Sequence, residues 1–225
     1  QGTYALSEVG PDGYTQTSLT CSDDPGVEVT SVTLGLGDDV TCTFVNDDVP
    51  PGLTMVKEVI NDNGGTAVAS DWTLTAAGYD PVSPDAGSYD LSESGPAGYT
   101  LTSLTCDNST GQVTSVTVGL GEDVTCTFVN DDDAPSLTLL KTVVNDNGGT
   151  AVADDWTLTA AGPTSLSGTD GVSSGPSFDQ GTYALSEVGP DGYTQTSLTC
   201  SDDPGVEVTS VTLGLGDDVT CTFVN

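Results

Sequence analysis

The sequence predicts an all-β protein made of tandem β-sandwich domains arranged as a rod. Segments in which apolar and polar residues alternate are typical of half-buried strands, and this chain contains DWTLTAAG, TYALSEV, SVTLGLG and DVTCTFVN. Turn sequences such as NDNGG, GPDGY and GDD separate these segments, and no segment has a helical period. Short strands joined by polar turns are therefore expected along the whole chain.

Internal repeats set the spacing of these strands. Residues 1–46 and 180–225 are identical, and residues 89–130 are a diverged copy. A second block, beginning LTMVKEVINDNGG at Leu53, recurs as LTLLKTVVNDNGG at Leu137. The order is half a repeat followed by two complete repeats. Each complete repeat has room for six or seven short strands in about 80–90 residues, the size of an immunoglobulin-like or prealbumin-like sandwich.

The linkers NDDVPPG and NDDDAPS mark the domain boundaries. Their prolines and acidic residues stop strand pairing and stiffen the connection between domains. We therefore predict three domains: residues 1–46 as the C-terminal half of a sandwich repeat, and residues 51–130 and 135–225 as complete repeats. Because each repeat in such an array contacts mainly its neighbours, a tandem arrangement predicts a rod.

Charge and composition exclude several classes of function. The 225 residues include 34 Asp and Glu, two Lys and Arg and no His, which gives a formal net charge of −32. Two cations do not neutralise a run of phosphates, so we expect neither nucleic acid nor an anionic membrane surface as a partner. With no imidazole base and no Ser–His or Cys–His arrangement, we expect no enzyme and no cofactor.

We also expect no membrane insertion in this segment. No stretch approaches the roughly 18 consecutive apolar residues that cross a bilayer. The sequence begins at Gln1 without a charged region followed by an apolar one, so we expect any secretion signal to lie outside this segment.

Six cysteines occur in three pairs, each in the context SLTC followed by DVTCTFVN. Their even number and regular spacing, without CxxC pairs or His, favour disulfides over metal sites or unpaired thiols. The chain is therefore expected in an oxidising, extracellular environment. The predicted pairs are Cys21 with Cys42, Cys106 with Cys126, and Cys200 with Cys221.

Three polar residues of each complete repeat share a strand face with apolar residues. Side chains alternate between the two faces of a strand, so residues two apart point the same way. By this parity one lysine, one glutamate and one asparagine per repeat point toward the core. They are Lys57, Glu93 and Asn130 in one repeat, and Lys141, Glu187 and Asn225 in the other.

Two interpretations of this polar set remain open from the residues alone, because uncompensated burial of such groups costs several kcal/mol. The first is an intramolecular isopeptide bond. Desolvation lowers the Lys pKa and raises the Glu pKa, the neutral amine attacks the Asn side-chain carbonyl, Glu transfers protons, and ammonia leaves. The second is a buried Lys–Glu ion pair with Asn hydrogen-bonded beside it, or a Lys whose charged end reaches the rim.

The complete repeats resemble the collagen-adhesin B-type, or SpaA-like, prealbumin-fold repeats of Gram-positive surface proteins and pilins. The matching features are the Lys of LTLLK, the Glu of YALSEVGPDGY and YDLSESGPAGY, and the Asn of TFVN. The resemblance implies a Lys57–Asn130 isopeptide promoted by Glu93 and a Lys141–Asn225 isopeptide promoted by Glu187. The disulfides depart from this pattern, since they are not a general feature of the family.

The half repeat carries the same Glu and Asn, at Glu8 and Asn46, but no Lys. It is expected to complete its core with a first strand from upstream sequence or from another molecule. Asn46 is then the candidate isopeptide partner of a lysine on that strand, and Glu8 is the candidate promoter of the bond.

Acidic turns and linkers are weak candidates for calcium, which prefers carboxylate and carbonyl oxygens. No segment has the EF-hand spacing, and Asn, Asp and Gly also supply turn geometry, while the negative charge keeps the protein soluble. The best metal candidates are in the linkers: Asp47, Asp48, Asp131, Asp132 and Asp133. Asn108 begins an Asn-Ser-Thr sequon and is a candidate glycosylation site.

The repetition favours a structural segment of an extracellular surface protein, such as a stalk, pilus shaft or fibre, whose partners are neighbouring repeats or other copies. A spacer gains length from every repeat. One alternative is an adhesin that binds a host or matrix ligand through the insert at residues 163–181, where the complete repeats differ most. Another is a fibre in which the half repeat accepts a strand from a neighbouring molecule.

Overall fold

The computed structural model describes residues 1–225, and the predicted all-β fold is confirmed. Two single 3₁₀ turns, Ala69–Asp71 and Ala153–Asp155, are its only helical segments. Each turn ends at the aspartate of DWTLTAAG, so the strand there begins two residues later than predicted. No helical segment has the length and apolar character needed to cross a membrane.

Residues 135–225 form a sandwich of two four-stranded sheets. The strand order is β14-β11-β18-β16 in one sheet and β13-β12-β15-β17 in the other. The strands are β11 (Ser136–Thr142), β12 (Thr157–Ala161), β13 (Leu166–Gly168), β14 (Val172–Ser173), β15 (Gly181–Val188), β16 (Ser197–Cys200), β17 (Ser210–Leu213) and β18 (Asp218–Val224).

Alternation along these strands builds the core between the two sheets. In β11 and β18 every second residue is buried. The core includes Leu137, Leu139, Trp156, Leu158, Tyr183, Cys221 and Phe223. The strand β11 runs parallel to β18, with Leu139 opposite Cys221. This pairing brings the first and last strands of the repeat together.

Residues 51–130 contain six strands in two three-stranded sheets, β5-β10-β8 and β6-β7-β9. They are β5 (Gly52–Ile60), β6 (Thr73–Ala76), β7 (Gly87–Ser94), β8 (Tyr99–Cys106), β9 (Ser115–Val118) and β10 (Asp123–Asp132). The prediction of six or seven strands per repeat is therefore wrong for the last repeat, which has eight strands. The additional strands, β13 and β14, come from the insert at residues 163–181, which pairs with β12 and β11.

Residues 1–46 form two strand pairs, β1 with β3 and β2 with β4. The strands are β1 (Gly2–Ala5), β2 (Tyr14–Cys21), β3 (Ser31–Leu34) and β4 (Cys42–Asp48). The prediction of one strand over TYALSEV is therefore wrong in part for the half repeat, because β1 ends at Ala5. In the identical sequence, β15 continues to Val188 since its second half pairs with β12.

The chain divides into two compact units according to its internal contacts. Each unit includes part of residues 51–130. One unit comprises Gln1–Val56, Leu74–Glu93 and Leu104–Thr127. The other comprises Lys57–Thr73, Ser94–Ser103 and Phe128–Asn225, and it contains the core of the last repeat. The three repeats remain our proposed domains.

Candidate Lys-Glu-Asn sites

The last repeat brings its predicted lysine, glutamate and asparagine into contact inside the sandwich. The Nζ of Lys141 donates to Oε2 of Glu187 at 2.7 Å and to Oδ1 of Asn225 at 2.5 Å. The side chain of Lys141 is 0% exposed and that of Glu187 is 9% exposed. The only cation of this repeat is therefore buried against both of its predicted partners.

Strand pairing explains how residues so distant in sequence meet. Lys141 lies on β11 directly opposite Phe223 of β18, and Asn225 lies two residues after Phe223, on the same face. Glu187 belongs to the other sheet, where it lies opposite Leu158 of β12. The amine thus bridges the two sheets at the end of the core.

An aromatic side chain closes the site on another side. The Nζ of Lys141 lies 4.8 Å from the ring centroid of Trp156, which is 2% exposed. Tyr193 packs edge-on against this tryptophan, with ring centroids 5.2 Å apart. A cation over an indole face is attracted by the ring quadrupole, and the two rings also restrict water at the amine.

The middle repeat has the same arrangement of lysine, asparagine and tryptophan. The Nζ of Lys57 donates to Oδ1 of Asn130, and it lies 4.8 Å from the ring centroid of Trp72. Asn130 is buried, whereas Lys57 is half-buried. Glu93 is half-buried on β7, on the face that carries the buried Tyr89 and Leu91. The parity prediction for these residues agrees with their placement.

The half repeat holds its glutamate and asparagine together without a lysine. The Nδ2 of Asn46 donates to Oε2 of Glu8 at 3.1 Å, and both residues are exposed. In the identical sequence at residues 180–225, the corresponding Glu187 and Asn225 both contact Lys141. The Glu–Asn hydrogen bond therefore forms in this repeat without a lysine beside it.

Each predicted cysteine pair is bonded in the structure: Cys21–Cys42, Cys106–Cys126 and Cys200–Cys221. The first and last pairs join residues directly opposite each other on antiparallel strands, β2 with β4 and β16 with β18. Each disulfide therefore ties the last strand of its repeat, which carries the asparagine, to the strand beside it.

The calcium candidates do not form a single group. Asp47 and Asp48 are exposed on β4, and Asp133 accepts a hydrogen bond from Thr100 Oγ1 at 2.7 Å. Asp131 and Asp132 instead lie within 4.8 Å of Asp62, a residue that the sequence analysis did not select.

The Asp132 carboxylate already has backbone partners. It is buried and accepts the backbone N–H groups of Asp62, Asn63 and Gly65 at 2.6–3.0 Å. These bonds fix the NDNGG turn, which accounts for Asp132 without a metal. Calcium at Asp131 and Asp132 stays a prediction.

Replacing Asp131 by Asn is expected to stabilise the protein at neutral pH. Burial, followed by the negative charges of Asp62 and Asp132, raises the pKa of the Asp131 carboxyl above 3.8. An acid with a raised folded-state pKa destabilises the fold while ionised, so the wild type recovers stability as pH falls through that pKa toward 3.8.

Urea unfolding of wild type and Asp131→Asn with a chelator present should show a gain of about 0.5–1 kcal/mol at neutral pH that shrinks on acidification. Asp133→Asn is the control and should give a smaller gain, because Asn keeps an oxygen that accepts from Thr100 and the Asp133 charge is the smallest of the causes that raise the Asp131 pKa. If added calcium stabilises the wild type and not Asp131→Asn, the aspartates bind the ion. An Asp131→Asn variant less stable than wild type in chelator would contradict the argument.

The sequon asparagine, Asn108, is exposed in the turn after β8. Its Nδ2, the atom that a glycan would modify, donates to the carbonyl of Thr117 at 2.9 Å. Glycosylation at this position stays a prediction.

Comparison with known proteins assigns the family. A family model described as a prealbumin-like fold domain, SpaA_2, matches residues 1–44, 48–128 and 132–223. The chain belongs to the SpaA-type prealbumin-like fold family. The predicted resemblance is confirmed, and the match extends over the half repeat as well as the complete ones.

This SpaA-type chain also has individual relatives. It is 22% identical over 254 aligned residues to serine-aspartate repeat-containing protein F of Staphylococcus epidermidis. That alignment covers 90% of the chain but 15% of the relative, so the chain spans only a small part of the curated protein's length.

Solved structures similar to this SpaA-type chain come from three bacterial species. A C-terminal fragment of the pilus adhesin SpaC from Lactobacillus rhamnosus GG is 16% identical, with a TM-score of 0.39, covering 77% of this chain and 96% of that one. The major pilin T3.2 of Streptococcus pyogenes is 17% identical, with a TM-score of 0.28, covering 89% and 80%. The Bacillus anthracis TIE protein is 15% identical, with a TM-score of 0.41, covering 99% and 52%.

Sequence reasoning missed the tyrosine that closes each NDNGG turn of this SpaA-type chain. The hydroxyl of Tyr193 donates to Asn145 Oδ1 at 2.6 Å and accepts the backbone N–H of Ala151 at 3.1 Å. Tyr99 makes the equivalent bonds with Asn61 and Ala67. Both tyrosines belong to the G-P-x-G-Y turn, whose recurrence beside every inward Glu was the available signal.

Proposed function

We propose that the chain is a structural segment of an extracellular bacterial surface protein that forms a stalk, pilus shaft or fibre. In this proposal each complete repeat is held by a disulfide and by an intramolecular Lys–Asn isopeptide bond. Membership of the SpaA-type family supports a surface structural or adhesin role without enzymatic turnover. The pilus adhesin and the pilin among the similar structures are consistent with a location outside the cell.

The contact of Lys141 Nζ with both Glu187 and Asn225 is the observation that carries the covalent part of the proposal. A buried ammonium ion is costly unless it is paired, and here the pair is also a reactive one. The carbonyl and a carboxylate that can move a proton both lie within hydrogen-bond distance of the nucleophile.

The reaction balances with these three groups alone. Glu187 takes a proton from the Lys141 ammonium, and the neutral Nζ attacks Cγ of Asn225. The Nζ–Cγ bond forms, and the proton held by Glu187 passes to Nδ2 as the Cγ–Nδ2 bond breaks. Glu187 then takes the second proton that Nζ loses as the amide forms, so it ends protonated. One ammonia molecule departs, and no oxidant or cofactor is required. The same scheme applies to Lys57, Glu93 and Asn130.

Intact mass spectrometry of the reduced protein tests the bonds directly. The mass is expected to fall below that of the sequence by one ammonia molecule for each complete repeat. Glu187→Ala should restore one ammonia, because the proton carrier of that repeat is lost. Glu8→Ala is the matched control, since Glu8 has the same neighbours in sequence and no lysine. A reduced mass equal to that of the sequence would establish the ion-pair interpretation instead.

The adhesin alternative assigned ligand binding to the insert at residues 163–181. Part of this insert is packed within its own repeat, because β13 and β14 extend the two sheets and Phe178 is 3% exposed. Phe178 stacks on Tyr183 with ring centroids 4.6 Å apart. This packing favours the structural role over ligand recognition by the insert.

Strand exchange is the remaining alternative for fibre assembly, and it concerns residues 1–46. Tyr4 is 51% exposed and Phe44 is half-buried, whereas the identical Tyr183 and Phe223 are 0% exposed beneath β11 and β12. A first strand bearing a lysine, from upstream sequence or another molecule, fits this face. A covalent dimer under reducing and denaturing conditions, abolished by Asn46→Ala, would support exchange between molecules.

A further inference from the structure

A small set of backbone contacts recurs where one repeat follows another. At the first occurrence, the carbonyl of Gly13 accepts the N–H of the linker residue Val49 at 2.8 Å. The carbonyl of Val49 in turn accepts the N–H of Gly121 at 2.8 Å. Gly13 belongs to the G-P-x-G-Y turn of the half repeat, and Gly121 belongs to the G-L-G turn of the middle repeat.

The second occurrence has the same pattern one repeat further along the chain. The carbonyl of Gly98 accepts the N–H of Asp133 at 2.9 Å, and the carbonyl of Asp133 accepts the N–H of Gly216 at 2.8 Å. The linker residues differ, valine in one case and aspartate in the other. Because only backbone atoms make these bonds, the pattern tolerates that difference.

Glycine is required in the first turn for two reasons. Gly13 and Gly98 have φ of +81° and +79°, a conformation that disfavours other residues. A Cβ at Gly13 would also lie 2.5 Å from Cβ of Leu120, and one at Gly98 would lie 2.6 Å from Cβ of Leu215. Leu120 and Leu215 thus pack directly on the glycine of the preceding repeat.

The two identical stretches of sequence provide an internal control. Gly192 corresponds to Gly13 and has φ of +90°, yet a Cβ there would meet nothing within 4 Å. Leu36 corresponds to Leu215 and is 89% exposed, whereas Leu215 is half-buried. Since the sequences are the same, the neighbouring repeat alone accounts for the difference.

We propose that the G-P-x-G-Y turn and the G-L-G turn are the two halves of a docking surface between consecutive SpaA-type repeats, with one linker residue hydrogen-bonded between them. The partner of each turn is a further repeat that presents the complementary turn. The surface limits motion at the linker, which an array serving as a stalk requires. This proposal does not depend on the isopeptide bonds.

A side-chain contact strengthens the second of these surfaces. Asn63, in the NDNGG turn of the middle repeat, is 4% exposed and donates through Nδ2 to the carbonyls of Pro176 and Phe178 at 3.1 and 3.3 Å. Its own carbonyl accepts the N–H of Gln180 at 2.9 Å. The corresponding Asn147, in the identical NDNGG turn of the last repeat, is exposed. The end of the 163–181 insert therefore contacts the preceding repeat.

Hydrogen exchange of the full chain tests the docking surface with matched variants. Gly13→Ala places a methyl group against Leu120, and the amides of Val49 and Gly121 are expected to exchange at least about tenfold faster. Gly192→Ala introduces the same backbone strain in the same local sequence, and it should leave those two amides unchanged. Equal rates at these amides in wild type and both variants would overturn the proposal.

A second pair of variants avoids backbone strain, in case Gly13→Ala perturbs its own repeat. Leu215→Asp places a carboxylate beside Asp133, so the amides of Asp133 and Gly216 should exchange faster. Leu36→Asp makes the same change in the identical sequence at an exposed position, and it should have no effect on those amides. If both leucine variants leave the exchange rates of Asp133 and Gly216 at the wild-type values, the turns are not docked.

Discussion

Replacing Glu187 by Gln is expected to leave Lys141 and Asn225 unjoined and to lower the free energy of unfolding of residues 135–225 by about 4 kcal/mol. The reason is the length of chain that the bond closes. Lys141 and Asn225 are 84 residues apart, so a covalent link between them removes much of the conformational entropy of the unfolded repeat.

Urea unfolding of the reduced protein, followed by tryptophan fluorescence, measures this effect. Trp156 is a local probe because its ring lies 4.8 Å from Lys141 Nζ, and Trp72 reports on the middle repeat. Glu8→Gln is the matched control and should change neither transition. If Glu187→Gln lost the bond by mass and kept wild-type stability, the cross-link would not stabilise the repeat, and its proposed structural role would fail.

Removing the Cys200–Cys221 disulfide is the change with the next largest expected effect. The bond closes a separation of 21 residues, and its loss is expected to cost about 3 kcal/mol. Both cysteines are buried, so the double variant Cys200→Ala, Cys221→Ala also loses packing in the core. The unfolding midpoint of the non-reduced double variant, compared with non-reduced wild type, gives the difference.

The same double substitution at Cys21 and Cys42 serves as the comparison. This pair has the same local sequence and the same separation of 21 residues as Cys200 and Cys221, but the strand that carries Cys42 is less buried. The chain-entropy cost is therefore matched, and a larger loss at Cys200 and Cys221 measures the contribution of packing. A midpoint unchanged by the Cys200 and Cys221 substitutions would contradict a stabilising role for the disulfide.

Much of the fold follows from local pattern. Alternation placed Leu137, Leu139 and Lys141 on one face of β11, and the structure buries all three. The approximate positions of the strands in the complete repeats follow from the same period, because a two-residue repeat is a property of the backbone. The insert was harder to predict. Residues 163–181 contain few alternating positions, and β13 and β14 form only by pairing with strands already in place.

The sequence pattern predicts which residues belong to the candidate site, but it does not predict which side chains surround them. Parity identifies which polar residues point inward, and the turn sequence beside Glu187 marks the family. Parity does not indicate what covers the amine, so the placement of Trp156 over Lys141 required the packed sandwich. In the same way Asp62 joins Asp131 and Asp132 only because β10 ends beside the NDNGG turn, and these residues are far apart in sequence.

The repeats, the strand class, the cysteine pairs and the inward lysines could be predicted from sequence alone, since these features depend on composition and on a period of two. The end of each strand and the contacts of each residue depend on the folded structure. The identical residues Tyr4 and Tyr183 show this most directly, at 51% and 0% exposure. Burial depends on which strands pack against a residue, and those strands belong to sequence elsewhere in the chain.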